Sequence, residues 1–293
     1  MKKQYWWIIV TYILMQLSGI AGLPLLLKTG LYDNRGFTNE EKFQLITGHW
    51  SIISFFIALC VVIWLLRTDI RDRHLDAMRS SVPATIGWIF IGFFLAIISQ
   101  SIAGMIEMYL LGITPGSENT DRLMDIARTT PWFLIVISII GPILEEIVFR
   151  KILFGTLYKR FNFFVAAIIS SLVFAAIHFD FTHLLVYTSM GLVFAFLYVK
   201  TKRIIVPIAA HVAMNTLVAI GQIFMSNEQI QEMIKEAEKC KALSEDFLYE
   251  KLTIVHGCIV FPSRMYLYTF RHYERDRYNL EYVDNTICSY GNN

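Results

Sequence analysis

A chain of 293 residues that is 55% hydrophobic and only 17% charged, with a mean hydropathy of +0.50, lies outside the composition of ordinary soluble domains and implies lipid as its solvent. A formal net charge of +2, without a basic stripe interleaved with aromatics, sets nucleic acid aside as a partner. Cys60, Cys240, Cys258 and Cys288 have no CxxC or CxxH spacing, which argues against a zinc knot or a disulfide framework.

The first apolar run, from Tyr5 to Leu27, follows Met1-Lys2-Lys3 and exceeds the roughly 7 to 15 residues of a signal-peptide core. It lacks a small-x-small cleavage site before the next loop and reads as an uncleaved first span. The requirement for about 20 apolar residues selects further spans at 49–66, 85–111, 132–158, 163–180, 183–199 and 204–225, seven in all. Turn chemistry and charge separate them at Asp33-Asn34-Arg35-Gly36, Arg67 to Arg79, Thr114-Pro115-Gly116-Ser117, Arg160-Phe161-Asn162 and Lys200-Thr201-Lys202-Arg203. The stretch from Gly116 to Pro131, with Asp121, Arg122, Asp125 and Arg128, fits a short amphipathic helix at the interface.

The positive-inside rule orients these spans. With the N terminus cytoplasmic, the inner loops collect Lys2, Lys3, Arg67, Arg71, Arg73, Arg79, Lys159, Arg160, Lys200, Lys202 and Arg203, and the outer ones only Lys28, Arg35, Lys42, Arg122 and Arg128. Trp6 and Trp7 suit an aromatic belt at the inner interface. The expected architecture is an all-α, multi-pass bundle in the cell membrane: spans one to three over 1–112, a core over 113–225 and a polar tail over 226–293. The apolar piece from Leu252 to Phe261 within the tail is too short to span.

Ionisable groups inside spans are costly and need a partner or a purpose. Span four reads Gly141-Pro142-Ile143-Leu144-Glu145-Glu146-Ile147-Val148-Phe149-Arg150, with two adjacent carboxylates in an apolar helix and Arg150 at i+4 from Glu146, where the pair can neutralise itself. Glu145 has no such partner, so it either holds its proton or finds a base on another helix. Candidate bases are His178, at the end of span five, and His211, which lies one turn before Asn215 in span seven. With the turn between spans four and five near Phe161, Glu145 and His178 each lie roughly 25 Å along their helices, at nearly equal depth. Asn215 comes out shallower, so a tilt or a broken helix must close the difference.

A carboxylate facing a histidine can hold and deprotonate a water, and a second histidine with an asparagine can donate to a developing oxyanion. Structural alternatives stand beside this reading: Glu146 with Arg150 as a plain ion pair, His178 as a helix-end histidine, and His211 with Asn215 as an interhelical hydrogen-bonding patch. His183, beside the turn, suits an interface or supporting role.

Glu145-Glu146-x-x-x-Arg150, Phe174-x-x-x-His178 and His211-x-x-x-Asn215, in this order within apolar segments, resemble the CPBP family of intramembrane proteases, over roughly Ile135 to Val218. That family includes CAAX prenyl-protein endopeptidases and the bacterial Abi proteins linked to bacteriocin processing and self-immunity. The resemblance implies that Glu145 and His178 activate a water, that His211 and Asn215 stabilise the oxyanion, and that Glu146 and Arg150 hold the site together. It implies no obligatory metal; zinc, if bound, would fall to Glu145, His178 and His211, since no HExxH is present. The family commonly has an eighth helix where this chain has its polar tail. The expected substrate is a peptide or membrane protein, of CAAX type by analogy or a signal or leader peptide. A proton-coupled carrier and a noncatalytic scaffold binding a membrane partner are the competing readings. The carrier reading lacks an inverted repeat, and transport has no special need of HxxxN.

Overall fold

The protein is described by a computed structural model covering residues 1–33, 36–71 and 79–224, with residues 232, 235, 236, 238, 239, 241 and 242 beyond these. The chain divides into two compact units, Met1–Glu238 and Lys239–Asn293. The polar tail expected over 226–293 therefore lies almost wholly outside the described residues, as do Cys240, Cys258 and Cys288; Cys60 is a free, exposed thiol.

Every regular element among the described residues is helical. The first apolar run forms two helices, α1 (Lys3–Leu17) and α2 (Gly19–Lys28), bent by 44° at Ser18. The bend falls at the Ser18-Gly19 pair, and Trp50 packs into it: its indole N–H donates to Ser18 Oγ at 2.9 Å, and a Cβ on Gly22 would lie 1.9 Å from its ring. Trp50 belongs to α3 (Asn39–Arg71), which outruns the expected span 49–66 at both ends. Next come α4 (Val82–Leu110), capped by Ser81, and the amphipathic α5 (Glu118–Thr129), which buries Met124 and Ala127 and whose first turn is capped by Ser117.

The expected span 132–158 is a composite rod. Short α segments α6 (Phe133–Ile135), α7 (Gly141–Glu145) and α8 (Gly155–Leu157) alternate with π-helical turns over Val136–Ile140 and Glu146–Phe154. After the rod, Asn162 caps α9 (Phe163–Ala176), and α10 (Leu184–Thr201) and α11 (Ile205–Phe224) follow. The expected span 163–180 is corrected here: α9 stops at Ala176, and His178 lies beyond it in a turn where Phe179 has φ +53°.

Among the described residues four helices are long and apolar enough to cross a membrane, namely α4, α10, α11 and the Asn39–Asp69 part of α3; the bent pair α1 and α2 brings the number to five. The rod and the 14-residue α9 do not qualify as single long helices, so length and composition do not reach the expected seven.

Close helix approach is made by small residues, as in other bilayer bundles where packing rather than hydrophobicity drives association. Gly191 of α10 lies against Ser171 of α9, and Gly92 of α4 against Leu197 of α10. At one end of the bundle Asp69 accepts from Lys2 (2.7 Å), Gln4 (2.8 Å) and Tyr5 (2.5 Å) and pairs with Lys151 (3.3 Å), which ties the N terminus, α3 and the rod together.

Candidate active site

The site starts from the rod's irregularity. Gly141 donates its N–H to the Val136 carbonyl, five residues back. In that register the Ile137 carbonyl faces residue 142, and Pro142 has no N–H to give. A carbonyl left without a donor in an apolar interior is costly. Asn215 supplies the donor from α11, through Nδ2 at 3.1 Å. Equal depth for Asn215 required a tilt or a broken helix; the irregularity lies in the rod, while α11 runs unbroken past Asn215. π-turns of this kind occur often at functional sites.

Four residues further along the same rod, Glu146 and Arg150 are both fully buried. Glu146 Oε1 accepts from His211 Nδ1 at 3.0 Å, while its Oε2 lies 3.4 Å from Arg150 Nε without making a hydrogen bond. The guanidinium instead lies over the rings of Phe174 (4.3 Å) and Phe194 (5.6 Å), which can stabilise a desolvated cation by about 2 kcal/mol. His211, 2% exposed, is stacked on Phe194 at 4.7 Å. With Nδ1 committed to Glu146, its Nε2 points toward Glu145 Oε2 at 3.8 Å, too far for a hydrogen bond, so a water touching both would sit to one side of the line between them.

His178 donates from Nδ1 to the Phe174 carbonyl at 2.9 Å, since a carbonyl can only accept; in the neutral ring Nε2 is then left as an acceptor. Its ring meets Phe174 edge-on at 4.8 Å, stacks on Tyr187 at 4.2 Å and lies within electrostatic reach of Glu145 and His211. Phe174 is thus a common wall for Arg150, His178 and His211, the last at 6.0 Å. All five residues singled out from the sequence, with Arg150, belong to this region. Glu145, Glu146, Arg150 and His211 form its tightest group; His178 joins through Phe174, and Asn215 through the rod's backbone.

Among the described residues no three His, Cys, Asp or Glu side chains are grouped to hold a metal ion. Glu145, His178 and His211 therefore do not fit a zinc site in this arrangement.

One buried carboxylate escaped the sequence reading. Glu107 of α4, 2% exposed, accepts from His183 Nδ1 at 2.8 Å and from the backbone N–H groups of Leu185 (3.1 Å) and Val186 (3.2 Å). The signal was available, because Glu107 is an ionisable residue inside the span expected at 85–111.

The comparisons with known proteins bear on the same segments. Residues 127–217, which hold the rod, α9, α10 and most of α11, match the model described as type II CAAX prenyl endopeptidase Rce1-like. The chain is 50% identical over 223 residues to "Putative membrane peptidase YdiL" of Bacillus subtilis (strain 168), covering 76% of this chain and 91% of that protein. It is 36% identical over 194 residues to "Membrane-embedded CAAX protease MroQ" of Staphylococcus aureus (strain USA300), covering 64% of this chain and 78% of that protein. No solved structure matches it. With half of its aligned residues shared across nearly the full length of one membrane peptidase, and its helical core matched by the family model, the chain belongs to the Rce1-like CAAX protease family of multi-pass membrane peptidases and is a hydrolase.

Proposed function

We propose that the chain is an intramembrane endopeptidase in which Glu145 and His211 share the attacking water. The observation that carries this reading is the imidazole of His211 between two carboxylates, 3.0 Å from Glu146 on one nitrogen and 3.8 Å from Glu145 on the other. Glu146 orients the ring, and Arg150 offsets the charge of Glu146. Glu145 removes a proton from the water, whose oxygen bonds to the scissile carbonyl carbon. The resulting oxyanion accepts from Asn215, whose amide keeps one hydrogen free of Ile137, and from the Nε2–H of His211, which carries that proton only in its imidazolium form between the two carboxylates. His178, presenting Nε2, holds the water on its other side. The proton on Glu145 passes to the amide nitrogen as the C–N bond breaks, giving a carboxylic acid and an amine.

The substrate is a peptide or membrane protein, of CAAX type in keeping with the relative of that name, or a leader or signal peptide. The N terminus is cytoplasmic in the cell membrane, with the excess of Lys and Arg in the inner over the outer loops as the support. The test is cleavage of a quenched peptide library by the purified protein in detergent, alongside Glu145→Ala and His211→Ala, each with and without chelator. Cleavage by wild type that survives the chelator and is lost in both folded variants is the expected result. Wild-type rates in either variant, or loss of cleavage with chelator, would overturn the mechanism.

A further inference from the structure

Between α4 and the candidate site runs a continuous set of polar contacts that neither the family motif nor the proposed chemistry includes. Glu107 is its buried end. In an apolar medium the first N–H groups of α10 have no intrahelical partner and no water to turn to. Glu107 Oε1 takes two of them, those of Leu185 and Val186, while Oε2 holds His183 at 2.8 Å. A carboxylate supplied by α4 is therefore the cap of α10, in the place where the negative charge also suits the helix dipole.

The contacts continue toward His178. His183 N–H donates to Asp180 Oδ1 at 3.3 Å; Ser117 donates to Asp180 Oδ2 at 2.7 Å and meets the Tyr187 hydroxyl at 3.2 Å. Asn119 donates to the same hydroxyl at 3.4 Å. Tyr187 is the ring on which His178 is stacked at 4.2 Å. His178 itself lies past the end of α9, beside a residue in the left-handed region, and its backbone is tied to the helix only through the tighter turn in which its N–H donates to the Ala175 carbonyl at 3.1 Å. The orientation of its ring is set by the bond of Nδ1 to the Phe174 carbonyl, by the edge-on Phe174 ring and by the Tyr187 face.

We propose that Glu107 is a positioning residue: by capping α10 and holding the 177–183 turn, it fixes Tyr187 and through it the imidazole of His178. This rests on the reading of His178 as a group that touches the attacking water. A displacement of about 1 Å in such a group can cost on the order of 100-fold in rate.

The test uses the full-length protein in detergent, ring-labelled with ¹⁵N-histidine, and one peptide selected from the cleavage library. Glu107→Ala is expected to lower kcat by about 10- to 100-fold with KM changed by less than about threefold. It also shifts the ring signals of His178, identified by their loss in His178→Gln. Glu107→Gln, which still accepts from Leu185 and Val186, recovers most of the rate. Tyr187→Leu, which leaves the cap intact, reproduces the kcat-selective loss and serves if Glu107→Ala fails to fold. Added to His178→Gln, Glu107→Ala costs nothing further, because residues acting as one unit are not additive. Unchanged His178 signals, an undiminished kcat, or a further multiplicative loss in the double variant would overturn the assignment. If His178→Gln itself cleaves like wild type, it is the catalytic reading of His178 that fails, and the ring signals still decide whether Glu107 positions it.

Discussion

Removing the Glu146 side chain separates its structural role from its chemical one. Glu146→Ala leaves a fully buried guanidinium whose three nitrogens already lack hydrogen-bond partners. Breaking a buried ion pair by deleting one member costs about 3–5 kcal/mol. The rings of Phe174 and Phe194 remain over Arg150 and retain about 2 kcal/mol of cation–π attraction, which points to the lower end of that range. Unfolding in detergent, followed by tryptophan fluorescence, should show Glu146→Ala destabilised by about 3 kcal/mol. Replacing both partners, as Glu146→Leu with Arg150→Met, should recover that loss, because apolar substitution of a buried pair is neutral or stabilising. Both proteins should fail to cleave peptide, since His211 Nδ1 has lost its acceptor in each. Wild-type stability of Glu146→Ala, or a double variant as weak as the single one, would refute the reasoning.

The rod makes a second prediction. Pro142→Ala gives residue 142 an N–H that can satisfy the Ile137 carbonyl, so the variant should be more stable, by up to about 3 kcal/mol, and slower, because Asn215 loses its anchor; unfolding and kcat measured together check both signs. Asn215→Ala should lower kcat by about 100- to 1000-fold with little change in KM, as for loss of one oxyanion donor, and steady-state kinetics on one peptide decides it. At the α9–α10 contact, a Cβ at Gly191 would lie 2.6 Å from Ser171 Cβ and 3.0 Å from its Cα, so the backbone blocks relief. Gly191→Ala should therefore destabilise by about 1–3 kcal/mol, read from the unfolding midpoint in detergent.

Glu145, Glu146, Arg150, His211 and Asn215 were legible because charged and amide groups stand out within apolar runs, where each has to find a partner. The all-helical class followed from the same runs. His178 was legible as a group at the end of span five, but not as one beyond the helix: hydropathy does not register that α9 stops at Ala176. Nor did it register the π-turns of the rod, since an extra residue per turn leaves composition unchanged; Pro142, which has no N–H to give, is the local clue. The kink lies at the Ser18-Gly19 pair, and the contact of Ser18 with Trp50 spans 32 residues of chain and leaves no local sign. Glu107 differed in kind. It meets the same criterion as Glu145, an ionisable group within an apolar run, without a motif around it.

The central claim is that Glu145 and His211 act on one water, and a double-mutant cycle tests it most directly. With kcat/KM measured on one cleaved peptide for wild type, Glu145→Gln, His211→Ala and the double variant, all shown to be folded, the account predicts a large loss in each single variant and no further loss when the two are combined. Losses that multiply, or a single variant that cleaves at the wild-type rate, would contradict it.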